Sequence, residues 1–147
     1  MVTSSPDAPT TTVQAVRALA RASRLLERTS QEASLAHYRV LSAIAEGDER
    51  ASRIASRLAV GKPAISATVD SLCERGLLER SAVQGDQRVA ALRLTDEGAR
   101  LLARVEGAMV ALVDDLCART PDAQQLLQSL IWMGTALDQM TAERHSR

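Results

Sequence analysis

Along residues 13–26 the positions Val13, Val16, Leu19, Ala20, Ser23 and Leu26 recur three and four apart, a spacing that stacks them on one face of a helix. It predicts an amphipathic helix of about 18 residues, preceded by a frayed arm over residues 1–11 where Pro6, Pro9 and several Ser and Thr show no such period. A second helix starts near Ser34, aligns Leu35, Tyr38, Leu41 and Ile44, and stops before Gly47-Asp48. Ile54, Ala55 and Leu58 mark a short third helix ending at Gly61. Lys62-Pro63 opens a fourth, because proline is tolerated in a first turn, where its missing N–H would have no partner anyway. The inward face of this fourth helix is Ile65, Val69 and Leu72, and Gly76 closes it in the left-handed conformation.

Between Leu77 and Leu94 the period drops to about two, in LLERSAV and VAALRL, with Gln84-Gly85-Asp86-Gln87 as a polar hairpin tip. These are the strand candidates. Thr95 then caps a long helix that carries Asp96 and Glu97 in its first turn, acids well placed against the helix dipole. Leu101, Leu102, Val105, Met109, Leu112, Val113 and Leu116 line its apolar side, and Thr120-Pro121-Asp122 opens a last helix with Leu126, Leu127, Leu130, Ile131, Met133, Leu137 and Met140. The expected fold is mainly α with a small β-hairpin wing. Two short helices joined by a tight turn and followed by a hairpin have the layout of a winged helix-turn-helix, whose second helix enters a DNA major groove.

Charge sharpens this picture. The chain of 147 residues holds 18 basic and 18 acidic side chains, a neutral total that by itself argues against nucleic acid. Residues 49–93, however, carry Arg50, Arg53, Arg57, Lys62, Arg75, Arg80, Arg88 and Arg93 against Glu49, Asp70, Glu74, Glu79 and Asp86, a local excess of three positive charges. Lys62, the one lysine of the sequence, stands where the fourth helix begins, so its ammonium and the helix dipole can serve the same phosphate, as can unpaired first-turn N–H groups. The outward stripe beyond it is Pro63, Ser66, Ala67 and Asp70. Ser66 can donate to a base edge or a phosphate, and Ala67 offers apolar contact to a thymine methyl. Arg80 is assigned to a phosphate. Asp86 and Arg88 alternate on one strand face, which suits an arginine inserted in a minor groove and steadied by a carboxylate, or simply a solvated ion pair.

The run IASRLAVGKPAISATVDSLCERGLLER followed by DQRVAALRLTDEGARLL resembles the MarR family of winged-helix regulators, with Leu58, Lys62, Ile65, Val69, Leu72, Gly76, Leu77 and Arg80 on its pattern. Asp86-x-Arg88 at the wing tip and Leu94-Thr95 before the long helix match at the family's spacing, and SLAHYRVLSAIAEG resembles its second helix. The resemblance implies a homodimer with two winged lobes on a palindromic operator, double-stranded DNA as partner, and small lipophilic or phenolic effectors in a cleft near His37 and Tyr38. It divides the chain into an arm (1–11), a helical dimerisation region (12–33 and 96–147) and a DNA-binding lobe (34–95). The sequence departs from the family at Ala67, where an arginine is common, and at Cys73, where a charged residue is common.

Other classes find less support. No apolar run approaches the roughly 20 residues of a membrane helix, and MVTSSPDAPTTT lacks the parts of a signal peptide, so a soluble cytoplasmic protein is expected. Cys73, Cys117, His37 and His145 are scattered, which predicts no metal site, no cofactor and no catalytic constellation. Cys73 is a candidate thiol sensor by family resemblance, but its place at the edge of the Ile65, Val69 and Leu72 face suits a partly buried structural cysteine. The apolar faces of the first, fifth and sixth helices exceed what a small lobe can cover, which predicts a homodimer. The alternative is a dimeric interaction module that keeps the winged fold without specific DNA binding.

Overall fold

Thr10, Ser34, Thr95 and Asp122 each accept a backbone N–H three residues ahead, at 3.3, 3.1, 3.0 and 2.9 Å. These caps open four of six helices in the computed structural model, which describes residues 10–48, 50–83 and 86–145, the side chains of 82–90 and 145 aside. The order is α1 (Thr11–Thr29), α2 (Leu35–Ala45), α3 (Ala51–Leu58), α4 (Lys62–Glu74), β1 (Leu78–Val83), β2 (Asp86–Leu94), α5 (Asp96–Cys117) and α6 (Ala123–His145). Among the described residues no helix is long and apolar enough to cross a membrane.

Helices α2, α3 and α4 end in the same way. In each, one amide reaches back five residues and its neighbour three: Asp48 to Ala43, Val60 to Ala55, and Leu77 to Leu72, flanked by Gly47 to Ile44, Ala59 to Ser56 and Gly76 to Cys73. This cap needs a left-handed residue, which Gly47 (φ 105°) and Gly76 (φ 69°) supply without a Cβ penalty. At the third site the residue is Ala59, with φ 51°. The sequence placed the end of α3 at Gly61, but Gly61 has φ −60° and caps the start of α4. The turn between the two helices is so tight that the reversal falls directly after Leu58, before the glycine is reached.

The core lies under the helix-turn-helix. Leu41 of α2, Ile54 of α3 and Leu72 of α4 have no exposed surface, and Val40, Val69 and Val105 show 1% each. Leu77, Leu78 and Leu92 from the base of the hairpin close one side, and Leu101, Leu102, Val105 and Met109 of α5 close another. The antiparallel ladder runs regularly from Leu78 opposite Leu94 to Ala82 opposite Ala90, then jumps to Val83 opposite Asp86. The residues 87–89 therefore bulge from β2. Asp86 and Gln87, expected in the tip, belong to the strand, while Gln84 and Gly85 lie outside the described residues.

The flanking helices contrast with this. Helix α1 buries none of its residues, and on α6 Ile131 and Trp132 are 63% and 65% exposed.

Candidate nucleic-acid interface and effector groove

Helix α4 presents its start and one long face to solvent. Gly61 caps it without a side-chain bond and Pro63 occupies the first turn. The amides of Ala64 and Ile65 both donate to the Gly61 carbonyl, at 3.1 and 3.2 Å, so fewer first-turn N–H groups are open to an anion than the sequence suggested. What remains is the exposed Lys62 ammonium, which takes part in none of the ion pairs formed among the described residues. Pro63, Ser66, Ala67 and Asp70 are exposed on the face opposite the buried Ile65, Val69 and Leu72. Thr68 is turned back, its hydroxyl donating to the Ala64 carbonyl at 2.9 Å.

Asp70 and Arg80 bind each other. Arg80 Nη2 donates to Asp70 Oδ1, joining β1 to α4, and this bond raises the arginine's pKa above the ordinary guanidinium value. Arg80 therefore stands at this surface as one half of an exposed ion pair. Sequence reasoning missed this partner, although both residues were singled out, because nothing in their spacing shows that a strand folds back beside the helix.

A second network was also missed. Asp48, 7% exposed, accepts from Arg57 at 3.0 Å and pairs with Arg53 at 3.1 Å. Arg57 also bonds Glu46 and reaches Asp138 of α6 at 4.0 Å, and the bonds to Asp48 and then Glu46 raise its pKa. Arg53 and Arg57 pair with Asp48 and Glu46, acids that lie just outside residues 49–93, so the positive excess counted there overstates what this surface offers to phosphate. The side chains of Asp86 and Arg88 lie outside the described residues, and their backbone belongs to the segment where the ladder is interrupted.

The two expected effector residues separate. Tyr38 lines a groove of about 540 Å³ between α1, α2, α5 and α6, and its hydroxyl donates to Glu106 at 3.3 Å. Burial, followed by the Glu106 charge and hydrogen bond, raises the phenol's pKa, so it remains a neutral donor. The walls include Leu26 of α1, Met109 and Val113 of α5 and Leu127 of α6, with Asp114 near one end. His37 does not line this groove. It is half-buried, its Nδ1 has no hydrogen-bond partner, and burial followed by the nearby Arg75 charge lowers its pKa.

Cys73 is half-buried against the core and Cys117 is 6% exposed, both as free thiols. Among the described residues no group of three or more His, Cys, Asp or Glu side chains is placed to hold a metal ion.

Known proteins share this fold. The MarR family model matches residues 33–89, which span α2 through most of the hairpin. The PcaV transcriptional regulator of Streptomyces coelicolor, in complex with its natural ligand, is 26% identical, with 91% of this chain and 97% of that chain covered and a TM-score of 0.70. The transcriptional repressor CouR, bound to a 23-mer DNA duplex, is 25% identical over 87% of this chain and 92% of its own, with a TM-score of 0.73. Apo wild-type MarR of E. coli, at 20% identity, matches in fold with a TM-score of 0.74 over 87% and 98% of the two chains.

Proposed function

The chain belongs to the MarR family of winged helix-turn-helix transcriptional regulators, and we propose that it acts as a homodimeric repressor on a palindromic operator, released by a small lipophilic effector in the Tyr38 groove. The carrying observation is the division of α4: Ile65, Val69 and Leu72 anchor it in the core while Lys62, Pro63, Ser66 and Ala67 stand exposed on the other side. A helix fixed on one face and free on the other is what insertion into a major groove requires. Lys62 serves a phosphate, Ser66 a base edge, and Ala67 a thymine methyl. Arg80, held by Asp70, orients the wing beside α4 and adds a shared contact to phosphate. At the wing tip, Asp86 steadies Arg88 in a minor groove.

The dimer follows from the apolar faces of α1 and α6, which a second copy would cover. CouR supports the DNA partner by analogy, being bound to a duplex, and PcaV supports the effector by analogy, being bound to its natural ligand.

Selection of bound sequences from a random duplex pool, followed by salt titration, tests this reading. Enrichment of a palindrome is expected, and Lys62→Ala should lower the salt slope by roughly 1 for all duplexes alike. Ser66→Ala should change the preferred sequence more than the affinity. No enrichment, with binding insensitive to salt, would favour the interaction module, a reading that the internal pairing of Arg53, Arg57 and Arg80 keeps in play. At the wing, Asp86→Ala weakens binding if the carboxylate positions Arg88, whereas simple removal of a negative charge would strengthen it.

A further inference from the structure

The Tyr38 groove has a definite charge. Its floor along α5 presents Glu106 and Asp114, a little over two turns and about 12 Å apart along the helix, with Met109, Val110 and Val113 between them. Among the described residues that line it, none is basic. Tyr38 donates to one carboxylate and contributes no positive charge, and the remaining lone pairs of Glu106 stay available to a further donor.

An anionic ligand entering here would leave water to face two carboxylates and no cation. The desolvation of its charge would be uncompensated, and like charges would repel it. An ammonium group meets the opposite situation, a charge-assisted bond at the end of an apolar slot.

Resting on the effector reading above, we propose that this groove selects lipophilic organic cations, an ammonium group seated at Glu106 or Asp114 with an apolar body along Met109 and Val113, and rejects carboxylates and phenolates of the same skeleton. Neutral analogues bind between the two. The cavity of about 540 Å³ holds a ligand with an aromatic ring and a short alkyl chain.

The test uses three probes on one skeleton, 4-phenylbutylamine, 4-phenylbutanol and 4-phenylbutyrate, with the full-length protein. Calorimetry gives each affinity at fixed ionic strength, and fluorescence polarisation of a labelled duplex gives release from DNA. The ammonium should bind about 10-fold or more tightly than the carboxylate. Glu106→Gln combined with Asp114→Asn should erase that preference, and circular dichroism verifies that the variant is folded. Equal or tighter binding of the carboxylate by the unaltered protein would overturn the charge assignment and leave the effector groove standing. Failure of all three probes to bind or to release the duplex at millimolar concentration would overturn the groove as an effector site and the charge assignment with it.

Discussion

Helices α4 and α6 carry the same kind of apolar spacing, yet Ile65, Val69 and Leu72 of α4 are at most 3% exposed while Ile131, Trp132 and Leu137 of α6 are more than half exposed. The difference lies in what each helix has beside it. Helix α4 is surrounded by α2, α3 and the base of the wing, whereas α6 touches α3 and α5 along part of its length and otherwise faces solvent. Apolar periodicity thus reports that a face needs a cover and is silent on which chain supplies it. The lobe is closed by its own sequence, whereas apolar side chains of α1 and α6 remain uncovered within the chain.

That contrast can be broken by four experiments of decreasing effect. Leu72→Ala, at a site with no exposed surface, should cost about 3 kcal/mol of unfolding free energy in urea denaturation. Ile131→Ala should leave the lobe intact and weaken the proposed dimer by roughly 1 to 2 kcal/mol per protomer, read as a shift in the sedimentation equilibrium. If it changed lobe stability as much as Leu72→Ala and left the dimer untouched, α6 would be part of a single-chain core and the comparison would fail.

Ala59→Gly sharpens the lobe side. Relief of the left-handed strain at φ 51° outweighs the added freedom of the unfolded chain, so stability should rise by about 0.5 to 1 kcal/mol with DNA affinity unchanged. The smallest effect concerns pH. His37 has a folded pKa below its unfolded value near 6.5, so its neutral form is the one compatible with the fold. Its contribution is fully present above the unfolded pKa and declines as pH falls from about 6.5 toward the folded value. In His37→Gln that part of the pH dependence of thermal unfolding should flatten.

The fold was legible in the sequence wherever local chemistry decides it. The capping residues Ser34 and Thr95, the proline at the start of α4, the left-handed Gly76 and the period-two run around Leu92 all act within a few residues. The end of α3 was misplaced because the glycine that signals a left-handed turn was not the residue that made it. The exposed stripe of α4 was also readable, since the buried face of Ile65, Val69 and Leu72 fixes the opposite one. The pairs Asp70–Arg80 and Arg57–Asp138 were not, because they join residues whose neighbourhood exists only after strands and helices have packed. Glu106 escaped for the same reason: on α5 it is simply a polar position, and Tyr38 comes to it from 68 residues away.

Gly98 has the last word on how the parts move. A Cβ there would stand 2.0 Å from the Leu77 carbonyl oxygen, and Thr95 binds the same corner, its N–H to Leu77 at 3.1 Å and its hydroxyl to Gly76 at 2.7 Å. With backbone against backbone there is no room at this joint for a side chain, and the end of α4, the start of the wing and the start of α5 meet at this one corner. Helix α5, with its 22 residues, becomes a lever about 33 Å long. A tilt of about 5° around its far end carries α4 through an arc of roughly 3 Å, close to the ~3.4 Å that separates one base pair from the next.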